Sequence, residues 1–543
     1  MPAEEDIRVN YSRMILLFPG RHQLLTNFQF QYIERLLDRT NANPVTDING
    51  NIVKTDAIEA IVFAVTSANH SNTRRNPLPF YLRALAIQEF SEKLNIPTYI
   101  YGIDDVGNLS SFASYTIKRI RHESEGMLDI TPANTFVICS TPVLDMYQAL
   151  GFTILPAELV DKASWKHSTP LPWDIVEKIA ADDAWDTNPA INEYIHASSF
   201  NIWKKYKLAS KVQLLFKDRM ISEDGDITGT RDYNTYVRQM DTIAELKYTE
   251  TAPYIRSGRI GDIGCAVGSW IKLACQDERL RESDFYGIEV ARHLFDICQQ
   301  RKHNGEFRNP FVFFSQRNAV TGLVFDRESM NTIHTSSLTH EIESYGSRQD
   351  LLAFIKNRYD ELTHGGVWVN RDVVGPVNKD QRVLMQLNRE DGIHTEVDKT
   401  FVSREELAQH LNKLSTYGRF LRFAKDFRKH EGYILRYAIK SINGKEYIEL
   451  SLSDACEFMS RKDYTDNWES EMHETFTFWS IDDWKAELEK VGFVTAPESQ
   501  AYTNTWIVDN RLKGKVALYI EESGKLEALS YPVTNMILIA EKR

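Results

Sequence analysis

A short apolar strand that ends on an aspartate and runs straight into a glycine turn restricts the fold of this chain more than any other feature. Residues 259–268 read RIGDIGCAVG, and the helical text SWIKLACQDERL follows without a gap. Glycine reaches positive φ without steric cost and lets backbone pass close to a ligand, so Gly264 and Gly268 mark the tight strand-to-helix turn of a parallel sheet. The next strand, FYGIE, ends on a second carboxylate, Glu289. In an open α/β sheet both acids then face the crevice at the strand carboxyl ends.

The same alternation continues through FVFFS, MNTIHTS and GGVWVNRDVV, and an independent one runs from Met14 to about Trp185 through MILLF, AIEAIVFAVTS, TYIYGI, TFVICS and FTIL. The expected fold class is therefore α/β, with two doubly wound Rossmann-like domains, the second carrying a large inserted subdomain. At 543 residues the chain is too long for one ordinary core. The expected division is 1–185 for the first domain, 186–250 for a helical connector, 251–375 with 479–543 for the second domain, and 376–478 for the insertion. No internal repeat relates the two halves.

The residues around Asp262 resemble the class I S-adenosylmethionine-dependent methyltransferases, whose first motif has the form D-x-G-x-x-x-G and whose second strand ends in an acid. The resemblance implies S-adenosyl-L-methionine as cofactor. By it, Asp262, Gly264, Cys265, Ala266 and Gly268 would surround the methionine moiety, Glu289 would hold the ribose, and Asn318 and Ala319 the adenine edge. The strand 330–335 runs into SSLTHEIESYGS, which puts His340, Glu341 and Tyr345 near the transferred methyl group as the expected catalytic residues. His340 is read either as a general base or as a cap of the following helix. No metal is expected, because His340, Glu341, His473 and Glu474 come from remote segments without a ligand spacing.

In the first half, FPGRHQ follows the first strand and SANHSNTRRNP the second long one. These loops are similar to those of HIGH-superfamily nucleotidyltransferases of the nicotinamide mononucleotide adenylyltransferase type. The resemblance implies nucleotide contacts from Gly20, Arg21, Gln23, Ser67, Thr73, Asn76 and Arg83. Where that family has H-x-G-H, this chain has Thr26-Asn27-Phe28-Gln29, so the imidazoles that would stabilise a transferring phosphate are missing. The expectation is a degenerate, nucleotide-binding domain; a purely structural remnant and a modified but active transferase are the alternatives.

The segment 376–478 interleaves cations with aromatic rings, and Arg419, Arg422 and Arg428 are the expected acceptor-binding residues. They suit an RNA or nucleotide acceptor. The alternatives are an amphipathic helix with solvated cations, a small-metabolite acceptor, or a non-enzymatic ligand sensor. A net charge of -12 speaks against indiscriminate nucleic-acid coating. No apolar run is long enough to span a bilayer, so no membrane partner is expected. Five scattered cysteines and an acidic N-terminus unlike a signal peptide point to a cytoplasmic protein.

Overall fold

The computed structural model describes residues 14–40, 44–106, 110–218, 222–223, 225, 233–395, 400–522 and 525–543, with backbone alone for 233–239. Residues 1–13, read above as an acidic lead-in, lie outside the described residues. The chain divides into two units, Met1–Lys217 and Asp218–Arg543.

The sheet of the first unit is parallel throughout, in the order Thr98–Ile103, Ile58–Thr66, Met14–Gly20, Thr135–Ile138, Thr153–Leu155. Its strands are continuous apolar runs because helices cover both faces; Leu16, Leu17, Ile61 to Val65 and Val137 have essentially no exposure. Strand order reverses between Met14–Gly20 and Thr135–Ile138, which opens a crevice at their carboxyl ends. The stretch 186–217 is no free connector. Its Ile191, Ile202, Trp203 and Val212 are buried in one cluster with Leu24, Leu78 and Ile175, so it belongs to the first unit.

The main sheet of the second unit has eight described strands, seven of them in the order Val312–Gln316, Asp284–Glu289, Arg259–Ile263, Met330–Ser336, Leu362–Val373, Asn535–Lys542, Phe493–Thr495, while Gln500–Tyr502 also pairs with Asn535–Lys542. The first five are parallel, and Asn535–Lys542 joins them antiparallel. Here the order reverses between Arg259–Ile263 and Met330–Ser336. The helix Tyr233–Thr251 belongs to this unit, since Thr251 Oγ1 accepts from the Trp270 indole at 3.0 Å and the Tyr248 hydroxyl donates to Asp277 at 2.7 Å. The expected connector is thus shared out between the units.

A second sheet, antiparallel, takes the order Ala438–Ile442, Lys445–Ser451, Arg382–Leu387, Val516–Glu522, Lys525–Leu529. Two of its strands lie beyond residue 478, where the sequence reading ended the insertion. Alternating apolar positions in VALYIEE pair with those of RVLMQL, and Leu518, Val383 and Met385 share one core. That core also takes Phe420 and Phe423 from the helix Thr416–Asp426, both fully buried. Each contributes about 1.5–3 kcal/mol by burial. Among the described residues, no helix is long and apolar enough to cross a membrane.

Candidate functional site

Register builds the centre of the second unit's crevice. Parallel pairing sets Asp262 beside His334, and their side chains meet: His334 Nδ1 lies 2.7 Å from Asp262 Oδ1. The Trp270 ring stacks on the imidazole with centroids 4.1 Å apart and planes 10° apart. An ionised carboxylate can only accept, so Nδ1 carries a hydrogen toward it and Nε2 is the ring nitrogen left over. That Nε2 is buried and has no hydrogen-bond partner among the described residues. It borders a cleft of about 830 Å³, counted to its open mouth, which Asp262, Gly264, Glu289, His334, Glu341 and Lys247 also line.

Glycine chemistry shapes one wall. Gly264 has φ +72° and Gly268 φ +75°, and a Cβ on Gly268 would stand 3.1 Å from Phe307 and Phe314. Between them Ala266 holds φ 49°, a left-handed value that costs a non-glycine residue roughly 1 kcal/mol or more. Glu289 holds it there. Its Oε2 accepts the Ala266 N–H at 2.9 Å, while Oε1 accepts those of Val290 and Ala291 at 2.8 Å each. A carboxylate has about four lone-pair sites, so one remains for a hydroxyl. Burial pushes Glu289 up to about 7, against the pull of the three N–H donors.

A second, apolar cavity of about 490 Å³ shares Gly264, Val290, Leu338 and Glu341 with the first and is bordered by Asn318, Ala319 and Tyr345. Here the expected adenine contacts divide. Ala319 is a plain apolar wall, whereas the Asn318 amide donates to Asp218 at 2.6 Å and accepts from the Val320 N–H at 2.9 Å. Its polar atoms hold protein. Cys265 and Ala266 line the first cavity; Gly268 lies behind it, opening the helix Ser269–Ala274.

The expected catalytic trio does not act together. His340 borders neither cavity: Nδ1 lies 2.6 Å from Asp372 Oδ1 and Nε2 3.5 Å from Glu474 Oε2, all three side chains being buried. Burial alone would lower its pKa, but the two carboxylates outweigh burial and hold it well above the ordinary histidine value. Asp372 is correspondingly held down at about 2. An imidazolium clamped on both nitrogens is a brace and not a base, which corrects the catalytic reading of His340. The Tyr345 hydroxyl donates to Glu474 at 3.1 Å, so only its ring meets the cavity. Glu341 lines both cavities.

The arginines expected to bind the acceptor are also committed within the fold. Arg419 bonds Asp463 at 2.9 Å and the Leu411 carbonyl at 3.0 Å, Arg422 bonds Asp426 at 2.6 Å, and Arg428 bonds Glu431 at 3.0 Å. They correct the reading of this helix as a phosphate-tracking face. Sequence reasoning missed His334, Trp270 and Lys247. His334 could have been found as the one ionisable residue inside the apolar strand MNTIHTS, on the strand next in space to Asp262.

The first unit has its own cavity, about 1190 Å³ to its mouth, at its strand-order reversal. Gly20, Arg21 and Gln23 line it, with the Arg21 guanidinium 4.9 Å from the Trp173 ring centre. Ser67, Thr73, Asn76 and Arg83 do not. Arg83 is buried and donates to the carbonyls of Arg21, Thr66 and Ser67 at 2.8–2.9 Å. Thr73 Oγ1 accepts from the Asn76 N–H. These residues tie loops together. Thr26 and Gln29, standing where imidazoles were sought, form a reciprocal cap on the helix Asn27–Leu37.

No family model matches this chain. No curated protein matches it. Solved structures that align with it include the YcgJ protein from Bacillus subtilis, at 11% identity over 56% of this chain and 98% of that one, TM-score 0.29. Another is a geranyl diphosphate C-methyltransferase from Streptomyces coelicolor A3(2), at 9% identity over 60% and 86%, TM-score 0.29. A third is an S-adenosylmethionine-dependent methyltransferase from Mesorhizobium loti, at 11% identity over 56% and 100%, TM-score 0.31.

Proposed function

We propose that the second unit is an S-adenosyl-L-methionine-dependent methyltransferase. The observation that carries this reading is convergence: Asp262, Glu289 and the loop 264–268 stand at the strand carboxyl ends around one cleft, beside an apolar slot sized for a flat ring. The free Nε2 of His334 and the Asp262 carboxylate suit the ammonium of the methionine moiety. The remaining lone pair of Glu289 suits a ribose hydroxyl, and the slot walled by Ile263, Ala319 and Phe354 suits the adenine. The bound cofactor supplies an electrophilic methyl carbon on a sulfonium; the protein orients the acceptor in line with it and excludes water.

Of the acceptor classes the sequence leaves open, a specific observation favours the small molecule over RNA: Arg419, Arg422 and Arg428 are spent on acids and carbonyls within their own subdomain. For the first unit, we read the cavity beside Gly20, Arg21 and Gln23 as a ligand pocket without adenylyl transfer, because Thr26 and Gln29 cap a helix and supply no charge. Titration calorimetry of the full chain with S-adenosyl-L-methionine tests the main reading. Heat that saturates at one site per chain is expected; its absence sinks the proposal.

A further inference from the structure

Beyond the donor cleft lies a third cavity, about 1090 Å³ to its mouth, which shares Lys247 and Ser337 with that cleft. Its walls come from the helix Tyr233–Thr251, the helix Leu452–Arg461 with Tyr464, the segment 504–512 that ends in the π-turn Val508–Leu512, and the segment 532–535, with Ser337, Arg371, Val373 and Phe476 between them. Helical turns of this type recur at functional sites. Met459, Phe476, Ile507, Leu512 and Val533 make the chamber largely apolar, and Trp506, 56% exposed, stands at its mouth.

Charge separates the two spaces. The donor cleft is lined by three acids, Asp262, Glu289 and Glu341, with Lys247 at its edge. The chamber is lined by Lys247, Arg371 and Arg511, and by no acid among the described residues. Arg371 is matched by Glu250, which accepts from its Nε. Lys247 and Arg511 make no ion pair with any described residue; Arg511 stacks on Tyr464 and Trp506, 4.5 and 5.5 Å from their ring centres. Lys247 is nearly fully buried, and burial, with the nearby Arg371, pulls its ammonium down to about 8. The nearby carboxylates of Asp372, Asp262 and Glu341 offset only part of the cost of burying this charge, and an anion in direct contact would offset more. An acid-lined cleft fits a cationic donor, and a cation-lined chamber joined to it fits an anion.

Resting on the methyltransferase reading, we infer that this chamber is the acceptor site and that the acceptor is a small organic acid, an apolar body whose carboxylate meets Lys247 at the junction with the donor cleft. Methylation of that carboxylate needs no base. One oxygen forms the new O–C bond with its own lone pair as the C–S bond breaks and leaves its pair on sulfur. Anion and sulfonium become a neutral ester and a neutral thioether, and no proton moves. The absence of His, Asp and Glu among the described residues lining the chamber accords with this.

The experiment titrates octanoate and phenylacetate, and their amides, into the full chain saturated with S-adenosylhomocysteine, then repeats the acids with S-adenosyl-L-methionine and looks for methyl esters by mass spectrometry. At least one acid should bind tenfold or more tighter than its amide and yield ester. Arg511→Ala should weaken the acid fivefold or more with S-adenosylhomocysteine affinity unchanged. Lys247→Met should abolish the preference for acid over amide, and Lys247→Arg, which keeps the charge and cannot serve as a base, should restore it. Equal binding of acids and amides, no binding of either, or methylation of RNA in their place overturns the inference while leaving the donor reading intact. A wild-type chain that fails to bind S-adenosylhomocysteine takes both readings down.

Discussion

The seam around His340 and the cleft around His334 use the same kind of side chain in opposite ways. Both rings are buried, and each puts Nδ1 on an aspartate within 2.7 Å. The difference is at the second nitrogen: His340 gives it to Glu474, whereas His334 keeps it unpartnered at the edge of a cavity. Burial and a carboxylate partner therefore do not separate a histidine left open to a cavity from one locked within the fold. What separates them is whether a nitrogen remains uncommitted.

The sharpest way to break this contrast is His340→Ala. It strands Asp372 and Glu474 in the interior, and removing one member of a buried ion pair typically costs about 3–5 kcal/mol. Urea denaturation followed by circular dichroism should show that loss, with donor affinity of the folded fraction unchanged; a stable variant without methyl transfer would restore His340 as a catalytic group. Because its folded pKa is raised, its contribution is full below about pH 6.5 and fades as pH rises through the folded value.

Next in size is Glu289→Ala, which removes the expected ribose acceptor and should weaken donor binding by about 1.5–3 kcal/mol. Calorimetry reads it, and an unchanged affinity in a folded variant would leave Glu289 only the task of holding Ala266. The same carboxylate sets a pH dependence. Raised to about 7, it is largely protonated at pH 6 and ionised at pH 8, so donor affinity should climb about tenfold over that interval. Its effect on folding has the opposite sign. The native state holds the proton longer than the unfolded chain, so stability from this group declines between about pH 4.5 and 7. A flat affinity profile would mean that the donor hydroxyls go elsewhere.

Smaller still is His334→Asn, whose amide can keep the bond to Asp262 while deleting the free nitrogen; about 0.5–1.5 kcal/mol of donor affinity should go, with stability nearly unchanged. A loss of stability without a loss of affinity would make His334 a second brace. The least effect is expected from replacing Arg419, Arg422 and Arg428 together by Ala. Their ion pairs, those of Arg419 and Arg422 only 15–18% exposed, hold the subdomain together, and none of the three arginines lines either cavity, so methyl transfer by the folded variant should persist at both low and high salt. A triple variant that folds but no longer methylates would return the acceptor to this helix.

The glycine turn and the acid-ended strands were legible because a tight strand-to-helix turn writes itself within ten residues. His334 was not. Its meaning depends on Asp262, 72 positions away and brought alongside by strand pairing. His340 was misread for the same reason: a strand end is visible in sequence, but its partners Asp372 and Glu474 arrive from remote segments. The arginine helix is a different case, since Asp426 and Glu431 lie at the i+4 and i+3 positions that neutralise Arg422 and Arg428. That pairing could have been read. The insertion was closed too early, at 478, because Val516–Glu522 and Lys525–Leu529 follow the resumed main-sheet text of 493–502, and periodicity names a strand without naming its neighbour.

The place of Asn535–Lys542 in the main sheet has a consequence for biosynthesis. This strand fills the position between Leu362–Val373 and Phe493–Thr495, and about 160 residues separate the end of Leu362–Val373 from its start. At about 5–20 residues per second, the nascent chain waits on the order of ten to thirty seconds with one side of Leu362–Val373 unpaired. An unpaired strand edge is a template for wrong partners. Slower translation over that interval lengthens the exposure of this edge before its native partner arrives.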